Sequence, residues 1–288
     1  SFMHTGTEIL ADSFLRPFPP KAAQLIVTIY GDIVEPRGGV LWMGDLISLC
    51  AGFSVNESLV RTAVSRLVSK GQLIGEREGR RSFYALTPDA REEYHLAADL
   101  FYGPEDPDCG WLLTRCTEAA DQAVLMRFGF ASLEGNVYIG ADRPGRPVLG
   151  TAFRASALNL KSGELEKIAA SSFGLELLAR DYTGFVSHFK PMQNLIADGV
   201  APASALLFRL ALVHAYRGIR LRDPRLPRSV LPADWAGYEA RSLFAALYAG
   251  LSPAADSYIG RNLFNQDGPL PAAPDAVQER MRSLTLTD

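Results

Sequence analysis

Between Val55 and Thr87 the hydrophobic pattern changes period, and this change organises the reading of the chain. Apolar residues at 59/60, 63/64 and 67/68 recur at the spacing of one buried helix face. The opposite face carries Ser58, Arg61, Thr62, Ser65, Arg66 and Ser69. Gly71 stands where a helix C-cap takes a residue tolerant of positive φ. Leu73-Ile74 and Phe83-Tyr84-Ala85-Leu86 then flank a polar tip from Glu76 to Arg81, with Gly79 in the turn, which predicts a hairpin. Upstream, Ala22 to Val34 is apolar at 25, 26, 29, 30 and 33 and stops before Pro36. Leu41 to Ala51 is a shorter apolar segment, closed by Gly52-Phe53-Ser54 as a turn. Helix, short helix, turn, helix, hairpin is the order of a winged helix-turn-helix, whose last helix enters a DNA major groove while the hairpin grips the backbone. The alternative is an amphipathic helix beside an ordinary hairpin.

Beyond the hairpin, Thr87-Pro88-Asp89 opens a predicted helix from Pro88 to Leu100. Gly103-Pro104-Glu105-Asp106-Pro107-Asp108 reads as a linker. Cys109 to Cys116 is strand-like, Glu118 to Arg127 helical and Gly135 to Ile139 strand-like. Arg143 to Pro147 is a turn region, Thr151 to Leu160 is indistinct, and Gly163 to Ser171 is helical. That order points to a small ferredoxin-like α+β sandwich. From Leu175 the pattern is helical: 175–189, 203–221, 239–251, 253–264 and a short helix around 277–284. The expected fold class is therefore α+β multidomain. It has a tail at 1–20 and an N-terminal winged helix-turn-helix at 21–102. A central ferredoxin-like α+β domain at 108–172 and an all-helical C-terminal domain at 173–288 follow.

At 288 residues the chain is too long for one winged helix. The net charge is −3, yet residues 56–81 hold six cations (Arg61, Arg66, Lys70, Arg77, Arg80, Arg81) against three anions (Glu57, Glu76, Glu78). The basic surface is thus concentrated on the helix and hairpin of the winged helix-turn-helix pattern. No apolar run approaches a transmembrane span, and no secretory signal is read at the N-terminus, where Ser1-Phe2 ahead of Met3 are set aside. A cytoplasmic protein with no membrane partner is expected. Cys50, Cys109 and Cys116 are scattered among apolar neighbours and read as buried thiols. The four histidines show no metal spacing, so no metal and no cofactor are expected. Asn56-Glu57-Ser58 matches a glycosylation sequon that a cytosolic chain would not use.

Several motifs together resemble the PaaX-like family of phenylacetate-catabolism repressors. They are Leu25-Ile26-Val27-Thr28-Ile29-Tyr30-Gly31-Asp32, Arg61-Thr62-Ala63-Val64-Ser65-Arg66-Leu67 and Arg81-Ser82-Phe83-Tyr84-Ala85-Leu86-Thr87. More distinctive are His214-Ala215-Tyr216-Arg217, Leu221-Arg222-Asp223-Pro224-Arg225-Leu226-Pro227 and Leu231-Pro232-Ala233-Asp234-Trp235-Ala236-Gly237. The likeness runs from about Ala23 to Ile259. One departure is Ala236 before Gly237, where the family usually shows Pro-Gly. The resemblance implies a three-part repressor with a DNA-binding winged domain and a middle domain like a CRISPR spacer-acquisition nuclease subunit. It also implies a helical C-terminal domain, homodimerisation, and release from DNA by phenylacetyl-coenzyme A.

The candidate base-reading residues are Ser58, Arg61, Thr62 and Ser65. An arginine can meet guanine O6 and N7 together, and hydroxyls serve bases or phosphates. Arg66, Lys70, Arg77, Arg80 and Arg81 are assigned to phosphates, which position without reading sequence. Asn56 or Ser54 is the expected helix cap. A second basic cluster, Arg209, Arg217, Arg220, Arg222, Arg225 and Arg228, is opposed between 205 and 228 only by Asp223. It reads either as a site for the phosphates of a coenzyme A thioester or as arginines paired with carboxylates elsewhere. The expected partners are thus a double-stranded operator with an inverted repeat, an acyl-coenzyme A effector and a second copy of the chain. An enzyme reading, nuclease or thioester hydrolase, competes. The strand from Trp111 to Cys116 carries no carboxylates for metal ions, and no Gly-x-Ser-x-Gly or phosphate loop occurs. No catalytic residues are assigned.

Overall fold

Residues 6–158 and 163–286 are described by a computed structural model. Helix α1 (Gly6–Leu15) lies within the segment read as a tail. Ala11, Phe14 and Leu15 are buried. Phe14 stacks on Phe189 with ring centroids 5.5 Å apart, and its carbonyl lies 2.8 Å from His188 Nε2. The proline run after it marked the end of a helix, and the aromatic partners that hold that helix lie some 175 residues later.

Helix α2 (Ala22–Ile29) continues into a π-helical turn, Tyr30–Val34, and a short 3-10 turn, Glu35–Arg37. Strand β1 (Val40–Trp42) and helix α3 (Met43–Ala51) occupy the segment read as one helix. Helix α4 (Glu57–Ser69) is capped by Asn56, whose Oδ1 accepts from Leu59 N at 2.9 Å. Its buried stripe is Val60, Ala63, Val64 and Leu67, and it packs on α2 and α3. Full burial stabilises the valines and leucine by roughly 1.5–3 kcal/mol each, more than the helix propensity of this serine-rich sequence provides. Strands β2 (Leu73–Glu78) and β3 (Arg81–Leu86) form the hairpin, and β1 adds to β3 in the order β1-β3-β2. Gly79 at φ +60 takes the first central position of the two-residue turn, and Arg80 is not at positive φ, the combination of a type II′ hairpin turn. Helix α5 (Pro88–Tyr102) begins at Thr87. The Thr87 hydroxyl accepts from Ala90 N and donates to Gly71 O at 2.7 Å, tying the end of α4 to the start of α5.

Next come β4 (Trp111–Arg115), α6 (Ala119–Arg127), β5 (Ala131–Glu134), β6 (Val137–Ala141), β7 (Thr151–Ala155) and α7 (Glu164–Ser172). The four strands form an antiparallel sheet in the order β5-β6-β4-β7. The indistinct segment after 150 supplies β7; its last two residues, 159–160, lie outside the described ones. Cys116, Leu125, Phe130 and Tyr138 form the core cluster beside this sheet. The remaining elements are α8 (Leu175–Phe189), α9 (Met192–Asp198), α10 (Pro202–Arg220), α11 (Ala236–Asn262), a two-residue pairing of β8 (Phe264–Asn265) with β9 (Gly268–Pro269), and α12 (Asp275–Thr285). Pro253 lies inside α11, so the two helices expected on either side of it are one. Ala240, Phe244, Leu247, Leu251, Ala255 and Ile259 are buried along its length, and that continuous packing outweighs the hydrogen bond the proline removes.

The chain is mixed helix and sheet, and its compact units are not the consecutive blocks read from the sequence. One unit joins the residues up to Pro104 with Ser187–Gly218 and those from Ser242 onward; the other joins Glu105–Val186 with Ile219–Arg241. In the first unit the interleaving has a physical anchor. Asp32, in the π turn, is fully buried and accepts from Arg209 Nε at 3.0 Å, Tyr248 OH at 2.7 Å and Tyr102 OH at 2.9 Å. Arg280 donates to the backbone carbonyls of Asp32 and Gly31 and stacks 3.7 Å over the Tyr102 ring. Arg37 and Arg209 both reach Asp256 Oδ1 at 2.8 Å. Burial alone would raise the Asp32 carboxyl, but Arg209, Arg280 and the two tyrosine hydroxyls hold it below the usual carboxylate value. A buried charge held this closely ties together the segments that supply its partners. Gly31 belongs to the same arrangement, because a Cβ there would meet Tyr94 Cε2 at 2.5 Å.

Candidate nucleic-acid interface

The buried stripe of α4 leaves its other face open. Ser58, Arg61, Thr62, Ser65, Arg66 and Lys70 are all exposed there, and Arg77, Arg80 and Arg81 are exposed on the hairpin. A cleft of about 510 Å³ runs between the two, with Arg61, Ser65 and Ser69 on the helix side and Arg77, Ser82 and Tyr84 on the hairpin side. The structure therefore brings all nine expected residues onto a helix face and an adjoining hairpin. Glu76 lines the same cleft, and Leu59, Val68 and Ile74 add exposed apolar surface on these elements.

Local contacts set how free each cation is. Arg61 pairs with Glu57 one turn before it, Nη2 to Oε1 at 2.8 Å and Nε to Oε1 at 2.9 Å, with both side chains more than half exposed. Arg81 sits 5.3 Å over the Trp42 ring. Arg77 Nε donates to Gly79 O at 3.1 Å, bracing the turn. Tyr30 OH donates to Tyr84 O at 2.8 Å and fastens the hairpin to the start of the π turn. Asn56, and not Ser54, is the cap; Ser54 takes φ +60 in the turn before it.

The second basic cluster is divided between the two compact units. Arg209 and Arg217 lie in the first compact unit, and Arg220, Arg222, Arg225 and Arg228 in the other. Five of the six are committed to carboxylates. Arg209 holds Asp32 and Asp256, as above. Arg220 binds Asp106 at 2.7 Å and Asp223 at 3.2 Å, Arg225 binds Asp106 at 2.6 Å, Arg222 binds Asp181 at 2.9 Å and Arg228 binds Glu105 at 3.2 Å. These pairs match the second of the two readings of the cluster, arginines paired with carboxylates elsewhere, and the segment read as a linker supplies two of the acids. Asp106 in that linker is pinned by two guanidiniums, and although burial works to raise its carboxyl, the Arg225 hydrogen bonds and the Arg220 and Arg225 charges carry it well below the usual value. Only Asp223 is near in sequence; Glu105 and Asp106 lie more than 100 residues before the arginines they hold, and Asp181 lies 41 before Arg222. Arg143, passed over as a turn residue, donates to the carbonyls of Pro107, Arg225 and Leu226 and belongs to the same arrangement. Trp235 packs edge-on against Tyr182, whose hydroxyl donates to Asp223 at 2.6 Å, so it anchors the folded loop. Among the six, Arg217 is the exception: it lies 6.0 Å from the Phe101 ring, with no carboxylate partner among the described residues.

Among the described residues no group of three or more His, Cys, Asp or Glu side chains is placed to hold a metal ion, and no helix is long and apolar enough to cross a membrane. Cys50 and Cys116 are buried and Cys109 is half-buried.

Two family models match the chain. One, described as PaaX-like protein, covers residues 21–90, and the other, PaaX-like protein C-terminal domain, covers residues 173–261. The transcriptional repressor PaaX of Escherichia coli (strain K12) is 30% identical over 292 residues, spanning 93% of this chain and 92% of that protein. The chain belongs to the PaaX-like family. Among solved structures it is similar to an uncharacterized protein, Rv0674, from Mycobacterium tuberculosis, at 17% identity and a TM-score of 0.47, covering 88% of this chain and 99% of that one. The first family model encloses α4, the hairpin and all nine exposed residues, while the second encloses the Asp223–Trp235 loop and Arg217.

Proposed function

We propose that this PaaX-like chain is a DNA-binding transcriptional repressor, with residues 21–102 acting as a winged helix-turn-helix. The observation that carries the reading is the exposure of Ser58, Arg61, Thr62, Ser65, Arg66, Lys70, Arg77, Arg80 and Arg81 on one helix and its adjoining hairpin. In this reading α4 enters the major groove, Arg61 and the three hydroxyl residues read base edges, and the remaining cations hold phosphates. The name of the Escherichia coli relative supports repression. The strand order β5-β6-β4-β7, with α6 crossing between the first two strands in sequence, supports a ferredoxin-like middle domain. It lacks a second crossover helix between β6 and β7.

One winged domain offers little surface for tight specific binding, so the protein acts as a homodimer on an inverted repeat. Half-sites then lie about one helical turn, or a multiple of it, apart. Footprinting on DNA from its own promoter region, with sedimentation of the free protein, tests this. Two symmetric protected half-sites and a dimer are expected, and a monomer protecting one asymmetric half-site overturns it. The regulon is aromatic acid degradation and the releasing ligand is phenylacetyl-coenzyme A or a related acyl thioester, a reading supported by the family resemblance. Titrating the operator complex with thioester, free phenylacetate and coenzyme A tests that part. Release by the thioester alone is expected. Release by free phenylacetate alone refutes the thioester mechanism, and inertness of all three assigns the regulator to a different pathway.

A further inference from the structure

Arg217 is half-buried on α10 and faces a cavity of about 340 Å³ within the first compact unit. The apolar part of the wall is Ile26 on α2, Leu67 on α4, Leu73 and Leu86 on the two hairpin strands, and Phe101 on α5. Gln72 and Glu93, both exposed, stand on its solvent side. Such a volume suits a ring-sized group, at the small end of ligand pockets. A guanidinium with no carboxylate partner among the described residues, in a largely apolar cavity, leaves its donors to an oxygen acceptor brought in from outside. Its forked donors match a carboxylate or an acyl carbonyl.

We infer that this cavity receives a flat apolar acyl group, its ring against Leu67, Leu73 and Phe101 and its carboxyl-derived oxygen on Arg217. This rests on the reading above that an acyl ligand releases the protein from DNA. The placement supplies a route for that release. Leu67 belongs to the stripe that seats α4, and Leu73 and Leu86 seat the hairpin, so a ring bound among them touches both elements that carry the nine exposed residues. A further wall residue, Tyr94, donates to Gly31 O and accepts from Arg280 at 3.1 Å, which joins the cavity to the buried Asp32 arrangement. Release requires only that the filled cavity prefer the arrangement of α4 and hairpin that does not fit DNA.

The test is calorimetric binding of phenylacetyl-coenzyme A, phenylacetate and coenzyme A to the full chain and to Arg217→Gln and Ala97→Phe, each checked for native circular dichroism. Ala97 lines the cavity, and phenylalanine there fills it. At least one ring-bearing probe should bind the natural protein, and each folded variant should weaken it tenfold or more. If a ring-bearing probe binds and a folded variant of either kind holds it within twofold, the cavity is the wrong site while the effector reading stands. If phenylacetate binds, the thioester does not, and the variants abolish binding, the cavity is right and the thioester reading falls. If neither ring-bearing probe binds the natural protein, both fall, and operator binding is untouched by that result.

Discussion

Arg61→Ala isolates the base-reading assignment, and the structure sets what it should cost. In the folded protein Arg61 makes one side-chain ion pair, with Glu57, and both side chains are exposed at 59% and 58%. An exposed i,i+4 pair in the Glu-before-Arg order contributes only about 0.3–0.5 kcal/mol. Arg61→Ala should therefore leave unfolding almost unchanged. Operator binding should weaken by about 1–3 kcal/mol per half-site, the value of a two-pronged contact to guanine. The same geometry predicts a companion effect. Glu57 holds the guanidinium before DNA arrives and places a negative charge beside the phosphates. Glu57→Gln should tighten both operator and random DNA by about 0.5 kcal/mol, against a few tenths lost in stability because Glu57 also favours the α4 N-terminus. Fluorescence anisotropy on operator and scrambled duplexes at several salt concentrations, beside urea unfolding, measures each quantity. If Arg61→Ala weakens both duplexes equally, Arg61 touches phosphate and the assignment is wrong. If it weakens neither, α4 does not face DNA through this residue.

Further expectations concern the hairpin and the buried polar groups. Arg80→Ala and Arg81→Ala should each weaken all duplexes alike and flatten the log–log salt dependence by about one. Only Arg81→Ala should also lose about 0.5–1 kcal/mol of stability, because only Arg81 sits over the Trp42 ring; sequence-selective loss in either would contradict phosphate contact. Asp32→Asn removes one of the two carboxylates that hold buried Arg209, leaving it Asp256 alone, and should destabilise by about 3 kcal/mol in urea, the low end for a broken buried pair, whereas a change under about 1 kcal/mol would show that the buried arrangement is dispensable. His214 is buried, and Thr28 Oγ1 lies 2.9 Å from its Nδ1. Burial, and secondarily the Arg217 charge, depress the imidazole from 6.5 to about 4. The folded value is the lower one, so this contribution is fully present above pH 6.5 and lost as pH falls towards 4. His214→Gln should remove that part of the acid slope in denaturant melts. Asp45, raised to about 6 by burial, acts in the opposite sense over an overlapping range, so the difference between the two proteins is the quantity to read; parallel curves would refute the assignment.

What the sequence determined by itself is what short-range periodicity and turn chemistry encode. The apolar stripe at 60, 63, 64 and 67 can be buried only if the serine and arginine face of α4 is left open. Gly79 between two alternating runs permits the tight turn that closes the hairpin. The PaaX-like signatures were legible for the same reason, as contiguous strings. Tertiary structure decided everything that depends on a partner far along the chain. Whether residues 6–15 form a helix depended on Phe189 and Phe208 receiving Phe14. Whether Pro253 ends a helix depended on how much of α11 is buried on both sides of it. The arginines between 209 and 228 looked like an unneutralised cluster because charge was counted locally. Their acids, Asp32, Asp106 and Asp256, arrive through the fold, and in a low-dielectric interior a guanidinium is fixed by whichever carboxylate reaches it, however distant in sequence. By the same logic only the folded chain could single out Arg217, the one among the six that no carboxylate reaches among the described residues.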